Sequence, residues 1–186
     1  MLSLKNFKNK PVSFEVFADK PEEIIHQAYK LTNLGKNVYV KIPVVNSKGV
    51  FLGKVIKLLN KKGIKLNITA VYTSNQCQNI LKNINKKNKV IISIFAGRMA
   101  DVGKDQIPEI KTSIALAKKF KNVEILWASV REPYNFLQSK LIGCHIITIP
   151  PSIIEKIENF GKSFNQLTLD TVKTFLIDSK KSNFKI

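Results

Sequence analysis

Short runs of strand-forming residues alternate along this chain with longer stretches in which apolar side chains recur every three or four positions. The runs are typical of buried strands, and the longer stretches of amphipathic helices. We predict strands at residues 11–18, 38–42, 66–71, 90–95, 123–129 and 145–149. We predict helices at residues 21–33, 53–62, 74–83, 108–120, 133–141, 151–157 and 169–179. Asp19 is the predicted cap of the first helix, and Thr168 or Asp170 that of the last.

Strand and helix alternate at spacings of roughly 20 to 35 residues, which indicates parallel strands joined by right-handed crossovers. Polar residues inside the strands fall two apart, so within each strand they share one face. These pairs are Ser13 and Glu15, Tyr39 and Lys41, Asn67 and Thr69, Ser93 and Phe95, and Ser129 and Arg131. A common polar face favours a barrel, and no glycine-rich phosphate loop supports a doubly wound sheet. The predicted class is α/β of the (β/α)8 TIM-barrel type, present as about six of its eight β/α units plus a C-terminal helix.

Lys41 is the one cation inside the predicted strand 38–42. A buried ammonium costs on the order of several kcal/mol unless it is paired or loses its proton. A lysine that is neutral part of the time is a nucleophile toward carbonyl carbon, which makes Lys41 a candidate for Schiff-base formation. The alternative is that Lys41 ends the strand and extends its ammonium into water. This stretch alone leaves both interpretations open.

The formal net charge of +18 raises the question of nucleic-acid binding. All but two of the 31 cationic residues are lysine, and they are spread over every segment. Base readout and ordered phosphate recognition favour arginine, and the only arginines are Arg98 and Arg131. The composition therefore argues against specific nucleic-acid binding.

Targeting and redox features point to a cytoplasmic protein. No apolar run approaches the ~18 residues that a membrane span needs, and the first residues lack the apolar core of a secretory signal. Cys77 and Cys144 stand far apart without metal-ligand spacing, which argues against a zinc site and a disulfide framework. We expect no membrane partner and no metal.

Five motifs occur in one collinear series, at residues 13–18 (SFEVFA), 38–44 (VYVKIPV), 66–72 (LNITAVY), 94–98 (IFAGR) and 128–131 (ASVR). Residues 143–148 (GCHIIT) look like the last strand of the same series. With these motifs the chain resembles the transaldolase family, including its fructose-6-phosphate aldolase branch, over nearly its whole length. The resemblance implies a class I aldol enzyme of carbohydrate metabolism that transfers or releases a dihydroxyacetone unit of a sugar phosphate.

The resemblance also implies roles for individual residues. Lys41 would form the imine with a ketose, Glu15 would move protons through a bound water, and Thr69 would hold that water. The residues implied in substrate binding are Asn67 and Ser93 for hydroxyl groups, Phe95 as a wall of the site, and Arg98, Ser129 and Arg131 for the phosphate. An imine is itself an electron sink, so no metal or organic cofactor is expected.

Two motifs of the family have no counterpart in this chain: an aspartate in the first strand, and Thr-Thr-Asn-Pro after the second. We therefore expect a single domain over residues 1–186 that lacks the family's first two β/α units. Besides a sugar phosphate, the expected partner is either a second copy in a homo-oligomer or the missing N-terminal segment. Two alternatives stay open, an inactive remnant of such an enzyme and a basic nucleic-acid-binding module.

Overall fold

Six parallel strands form one curled sheet, in which the spatial order of the strands is also their order along the chain. The structure is a computed structural model, and it describes residues 10–182. The strands are β1 (Val12–Glu15), β2 (Val38–Pro43), β3 (Leu66–Val71), β4 (Val90–Ile94), β5 (Val123–Trp127) and β6 (Ile146–Ile147). Every neighbouring pair is parallel, as the strand and helix spacing predicts.

A helix follows each strand, and two helices follow β4 and β6. The helices are α1 (Pro21–Thr32), α2 (Gly53–Lys61), α3 (Ser74–Leu81), α4 (Ala96–Asp101), α5 (Ile107–Ala117), α6 (Tyr134–Leu141), α7 (Pro151–Ile157) and α8 (Phe164–Ser182). This arrangement confirms the predicted α/β class and a partial (β/α)8 barrel. The short helix α4 was not predicted, because six residues are too few to show helical periodicity.

Four predicted strands end earlier in the structure, one of them, predicted at 90–95, by a single residue at Ile94. The strand predicted at 11–18 ends at Glu15, and the one at 145–149 is reduced to Ile146–Ile147. The strand predicted at 123–129 ends at Trp127. Two residues later, Ser129 has a φ of +63°, in the left-handed region that an extended strand does not use. The chain therefore leaves the sheet earlier than predicted at the carboxyl ends of these strands, and the candidate site residues lie at those ends.

Both predicted helix caps are wrong. The N-cap of α1 is Lys20 and makes no side-chain cap bond. The carboxylate of Asp19 instead accepts hydrogen bonds from the backbone N and the hydroxyl of Ser47, at 2.6 and 2.8 Å, and these bonds lower its pKa. The last helix begins five residues before the predicted start, where the Ser163 hydroxyl accepts a bond from the backbone N of Gln166 at 3.2 Å.

The two faces of the sheet bury different residues. On one face, under helices such as α1, α2 and α5, the fully buried side chains include Val40, Ile42, Leu66, Ile68, Ile92 and Ile125. On the other face a smaller apolar cluster consists of Tyr39, Ile91, Leu126 and Ala128, with Phe95 and Ile146 packed against it. Successive side chains of a strand point to opposite faces, which is why one face can be wholly apolar while the other also carries polar groups.

Contacts divide the chain into two compact units, residues 1–149 and 150–186. The sheet belongs to the first unit. The second contains α7 and α8, and every described side chain of α8 is exposed. A single domain over residues 1–186 stays a prediction. In residues 10–182 no helix has both the length and the apolar character needed to cross a membrane.

The two edges of the sheet determine what we expect of the isolated polypeptide. Within the described residues, β1 pairs only with β2, and β6 only with β5. An unpaired edge of a parallel sheet leaves backbone groups and apolar surface exposed. We expect the 186-residue polypeptide by itself to be aggregation-prone or loosely packed, with little or no activity. Two β/α units that carry the family's aspartate and Thr-Thr-Asn-Pro motif, fused at the N-terminus or added as a separate peptide, should give a tightly packed and active protein.

Cys77 provides the measurement for this prediction. Its side chain is fully buried, and burial raises the pKa of its thiol from 9.0 to about 11. At pH 8 this shift lowers the thiolate fraction about 100-fold, so iodoacetamide should label Cys77 slowly in a closed barrel and quickly in a loose one. An isolated polypeptide that is monomeric, melts cooperatively, protects Cys77 and turns over fully would contradict the prediction.

Candidate active site

A cavity of about 610 Å³ opens on the inner face of the sheet. It is lined by Pro11, Ser13, Lys41, Asn67, Thr69, Ile91, Ser93, Phe95, Arg98, Leu126, Ala128, Ser129, Arg131, Ile146 and Thr148. Eight of the nine candidate residues are in this lining. The ninth, Glu15, does not line the cavity but contacts Lys41, which does. The parallel strands thus bring all the candidates to one place.

Lys41 and Glu15 form an ion pair on neighbouring strands. They are register partners in β2 and β1, and the distance from Lys41 Nζ to Glu15 Oε2 is 3.1 Å. Lys41 is the less exposed of the two, with 27% of its side chain accessible against 47% for Glu15. The ammonium is therefore paired and faces the cavity, rather than extending alone into water. The carboxylate of Glu15 is thus placed to accept a proton from the amine, the role that a general base has beside a catalytic nucleophile.

A row of hydrogen bonds crosses the inner face next to Lys41. The Ser93 hydroxyl donates to Asn67 Oδ1 at 2.7 Å, and Asn67 Nδ2 donates to Ser13 Oγ at 2.9 Å. Asn67 is also the register partner of Lys41, so the amide is fixed directly beside the amine. Ser13, which the sequence did not single out as a site residue, orients Asn67 and lines the cavity.

Thr69 is held at a break in strand β3. The register with β4 shifts between Ile68 and Val71, and Ala70 has a φ of +57°. The Thr69 hydroxyl is buried and has no hydrogen-bond partner among the described residues. Because a buried hydroxyl without a partner is costly, this group calls for a water or a ligand atom in the cavity.

The two arginines line the same cavity because the segments that follow β4 and β5 pack closely. Gly97 follows β4, and its backbone N lies 3.5 Å from the Ala128 carbonyl oxygen. A Cβ atom on Gly97 would lie 1.5 Å from the carbonyl oxygen of Ser129 and 2.8 Å from Arg131 Cγ. Only a glycine permits this approach, which places Arg98 and Arg131 in the lining of one cavity.

Each arginine has a different neighbour. The guanidinium carbon of Arg98 lies 5.2 Å from the centre of the Phe95 ring. That ring also packs at a tilt against Tyr72, with 6.0 Å between the centroids. The guanidinium of Arg131 instead donates to Asp101, at the end of α4. Sequence reasoning missed Asp101, and its only signal was its position three residues after Arg98.

The described residues offer no obvious metal site. In residues 10–182 no group of three or more His, Cys, Asp or Glu side chains lies close enough together to hold a metal ion. The functional groups that line the cavity are an amine, hydroxyls, an amide and two guanidinium groups, and the carboxylate of Glu15 contacts the amine.

Comparison with known families identifies the family of this chain. A sequence model of the transaldolase/fructose-6-phosphate aldolase family matches residues 2–186. The chain belongs to this family. The family is enzymatic, and the resemblance based on the strand motifs is confirmed.

Curated relatives agree with the family assignment. The chain is 30% identical to a probable transaldolase of Thermoanaerobacter sp. (strain X514), over 95% of this chain and 76% of the relative. It is 33% identical to a probable transaldolase of Methanococcus maripaludis (strain C7 / ATCC BAA-1331), over 90% and 73%. It is 38% identical to a probable transaldolase of Sulfurihydrogenibium sp. (strain YO3AOP1), over 83% and 67%. The chain thus spans about two thirds to three quarters of the length of these relatives.

The close approach at Gly97 can be tested by substitution. We expect Gly97→Ala to lower the free energy of unfolding by about 1–3 kcal/mol, because the new Cβ collides with backbone that cannot move independently. Gly53→Ala is the matched control: Gly53 also lies in the first turn of a helix, and the three atoms nearest to its Cβ would all belong to the side chain of Phe51 rather than to backbone. Urea unfolding of both variants gives the comparison, and equal losses would contradict the special role of Gly97.

Proposed function

We propose that this chain carries out class I aldol chemistry on a sugar phosphate, and that it transfers or releases a dihydroxyacetone unit through an imine at Lys41. The observation that carries the proposal is the ion pair between Lys41 Nζ and Glu15 Oε2, at 3.1 Å, beside a cavity that Lys41 lines. Family membership supports aldol chemistry in general. The Schiff base, the residue roles and the substrate are our proposal.

The proposed reaction begins at the amine. Lys41 gives its proton to Glu15 and attacks the ketose carbonyl, and the carbinolamine loses water after its hydroxyl is protonated. Glu15 moves these protons through a water held by the unpartnered hydroxyl of Thr69. The electron pair of the breaking C–C bond then moves into the imine, which becomes an enamine, while the hydroxyl on the departing carbon gives its proton to Glu15 and that carbon leaves as an aldehyde. The enamine either takes a proton back on carbon or adds to a second aldehyde, and water hydrolyses the resulting imine to release the product from Lys41.

The other cavity residues are suited to hold the substrate. Asn67, fixed between Ser93 and Ser13, offers its remaining amide hydrogen to a substrate hydroxyl. The arginines lie at the ends of β4 and β5, away from Lys41 on β2, and suit a phosphate remote from the reacting carbon. Charge-assisted bonds to such a phosphate can orient the carbonyl for attack.

Reductive trapping tests the imine. Borohydride with fructose 6-phosphate or dihydroxyacetone should add a stable mass to the peptide that contains Lys41, because reduction fixes the C–N bond. Lys41→Ala should abolish this adduct. Lys65→Ala, which changes a lysine just before β3, is the control and should keep it. Equal labelling of surface lysines would contradict the assignment. The experiment uses the 186-residue chain alone or the chain with the two added N-terminal β/α units, whichever melts cooperatively.

Arg131 tests the phosphate assignment. We expect Arg131→Ala to raise the KM for fructose 6-phosphate by the equivalent of about 1.5–3 kcal/mol, the range for a hydrogen bond to a charged group. The KM for unphosphorylated dihydroxyacetone should change little. Steady-state kinetics on both substrates gives the contrast, and a similar loss on both would mean that Arg131 has a structural role.

Cofactor independence is the last part of the proposal. Since the imine serves as electron sink, we expect activity to survive dialysis against EDTA unchanged. Activity that falls and returns with an added divalent metal would assign the protein to another mechanistic class. A cytoplasmic location and either a homo-oligomer or an added N-terminal segment as partner remain predictions from the sequence.

A further inference from the structure

Asp101 is the carboxylate beside the arginine end of the cavity. The Nε and Nη2 groups of Arg131 donate to the same oxygen, Asp101 Oδ2, at 3.1 and 2.7 Å. About half of each side chain is exposed, 52% for Arg131 and 46% for Asp101. An ion pair this exposed contributes about 0–1 kcal/mol to stability, so stability gives little reason for the contact.

The geometry of the contact leaves part of Arg131 available. A guanidinium carries five N–H groups in a fixed plane. Bonds from Nε and Nη2 use one edge of that plane. The other edge, made by Nη1 and the second hydrogen of Nη2, can still bind two oxygens of an anion. Asp101 therefore fixes the plane of a cavity-lining group while leaving a fork of donors for a ligand.

Arg98 shows that the two arginines are held by different means. It packs on the Phe95 ring, and within the described residues it makes no ion pair. An aromatic face restrains the guanidinium without using its N–H groups. The site thus keeps the donors of Arg98 free and restrains Arg131 with a carboxylate.

We propose that Asp101 is a positioning residue of the anion site, which acts through Arg131 by holding the guanidinium with its free edge available to a phosphate. This inference rests on the proposed function only where that function assigns a phosphate to the arginines. It does not depend on the imine at Lys41.

Positioning and simple electrostatics predict opposite results. A carboxylate near the site repels a phosphate dianion, so if charge alone mattered, removal of Asp101 should tighten phosphate binding. If Asp101 positions Arg131, removal should weaken binding, because the freed arginine loses rotamer entropy when it binds the anion. Both bonds go to one oxygen, so the single amide oxygen of Asn can replace it. Asp101→Asn should therefore keep the positioning and lose the repulsion.

The experiment measures binding of inorganic phosphate by equilibrium dialysis at constant ionic strength. It uses the chain alone or the chain with the two added N-terminal β/α units, whichever melts cooperatively. We expect Asp101→Ala to weaken binding about 5- to 20-fold, and Asp101→Asn to bind at least as tightly as the unchanged protein. Arg131→Ala should weaken binding, and adding Asp101→Ala to it should have no further effect. Asp105→Asn is the charge control, since its remaining oxygen can still accept the bond from the backbone N of Ile107. It should bind like the unchanged protein. Asp101→Ser is the second truncation in case the alanine variant does not fold.

The outcomes separate this inference from the proposed function. Unchanged or tighter binding by Asp101→Ala would overturn the inference and leave the phosphate assignment intact. Weak binding by both the Ala and Asn variants, or an additive loss in the double variant, would also overturn it. If Arg131→Ala leaves phosphate binding unchanged, the inference and the phosphate assignment both fail. Failure of borohydride trapping would remove the imine proposal alone.

Discussion

The site depends on the parallel register of the first three strands. Glu15 is the partner of Lys41, and Lys41 is the partner of Asn67, so acid, amine and amide lie side by side on the inner face. A shift of one residue in either pairing would turn these side chains to the face that packs under the helices. Burial of Val40 and Ile42 on that face opposes such a shift, because each would be exchanged for a polar or charged group. Apolar packing on one face of the sheet thus fixes the strand register, and the register sets the positions of the polar side chains on the other face.

The opposite end of the cavity depends on close packing between strand ends. Gly97 lets the turn after β4 touch the backbone after β5, and Ser129 adopts a left-handed φ at the same place. Ala70 does the same beside Thr69. Non-glycine residues in this region cost of order 1–3 kcal/mol each, and such residues cluster at functional sites. Here both lie within one residue of the cavity lining, as expected if the backbone is strained to aim particular side chains.

The sequence predicted the fold because the fold follows from local periodicity, whereas the roles of most site residues came from the resemblance to the family and stay predictions. Alternation within strands identified a shared polar face that carries Lys41, Asn67 and Thr69, and the spacing of the units identified parallel pairing. Features that depend on tertiary partners could not be predicted. Asp19 has the position of a helix cap, yet two donors of Ser47 compete for its carboxylate. Asp101 has an ordinary place at the end of a short helix, and only the approach of β5 gives it a partner.

The position of Glu15 connects the open edge of the sheet to the chemistry. Lys41, Asn67 and Ser93 lie on strands that have neighbours on both sides, whereas Glu15 lies on β1, which pairs only with β2 among the described strands. Its segment is held by the bond from the Val16 N to the Lys41 carbonyl at 3.0 Å. Beyond it, the backbone N atoms of Phe17 and Ala18 donate to Gln27 of α1 at 2.8 and 3.1 Å. Local opening of proteins begins where contacts are fewest, so fraying of β1 would remove the carboxylate while the lysine and amide stay in place. In the proposed mechanism the amine would then be left without its proton acceptor, and activity would be lost before the sheet unfolds.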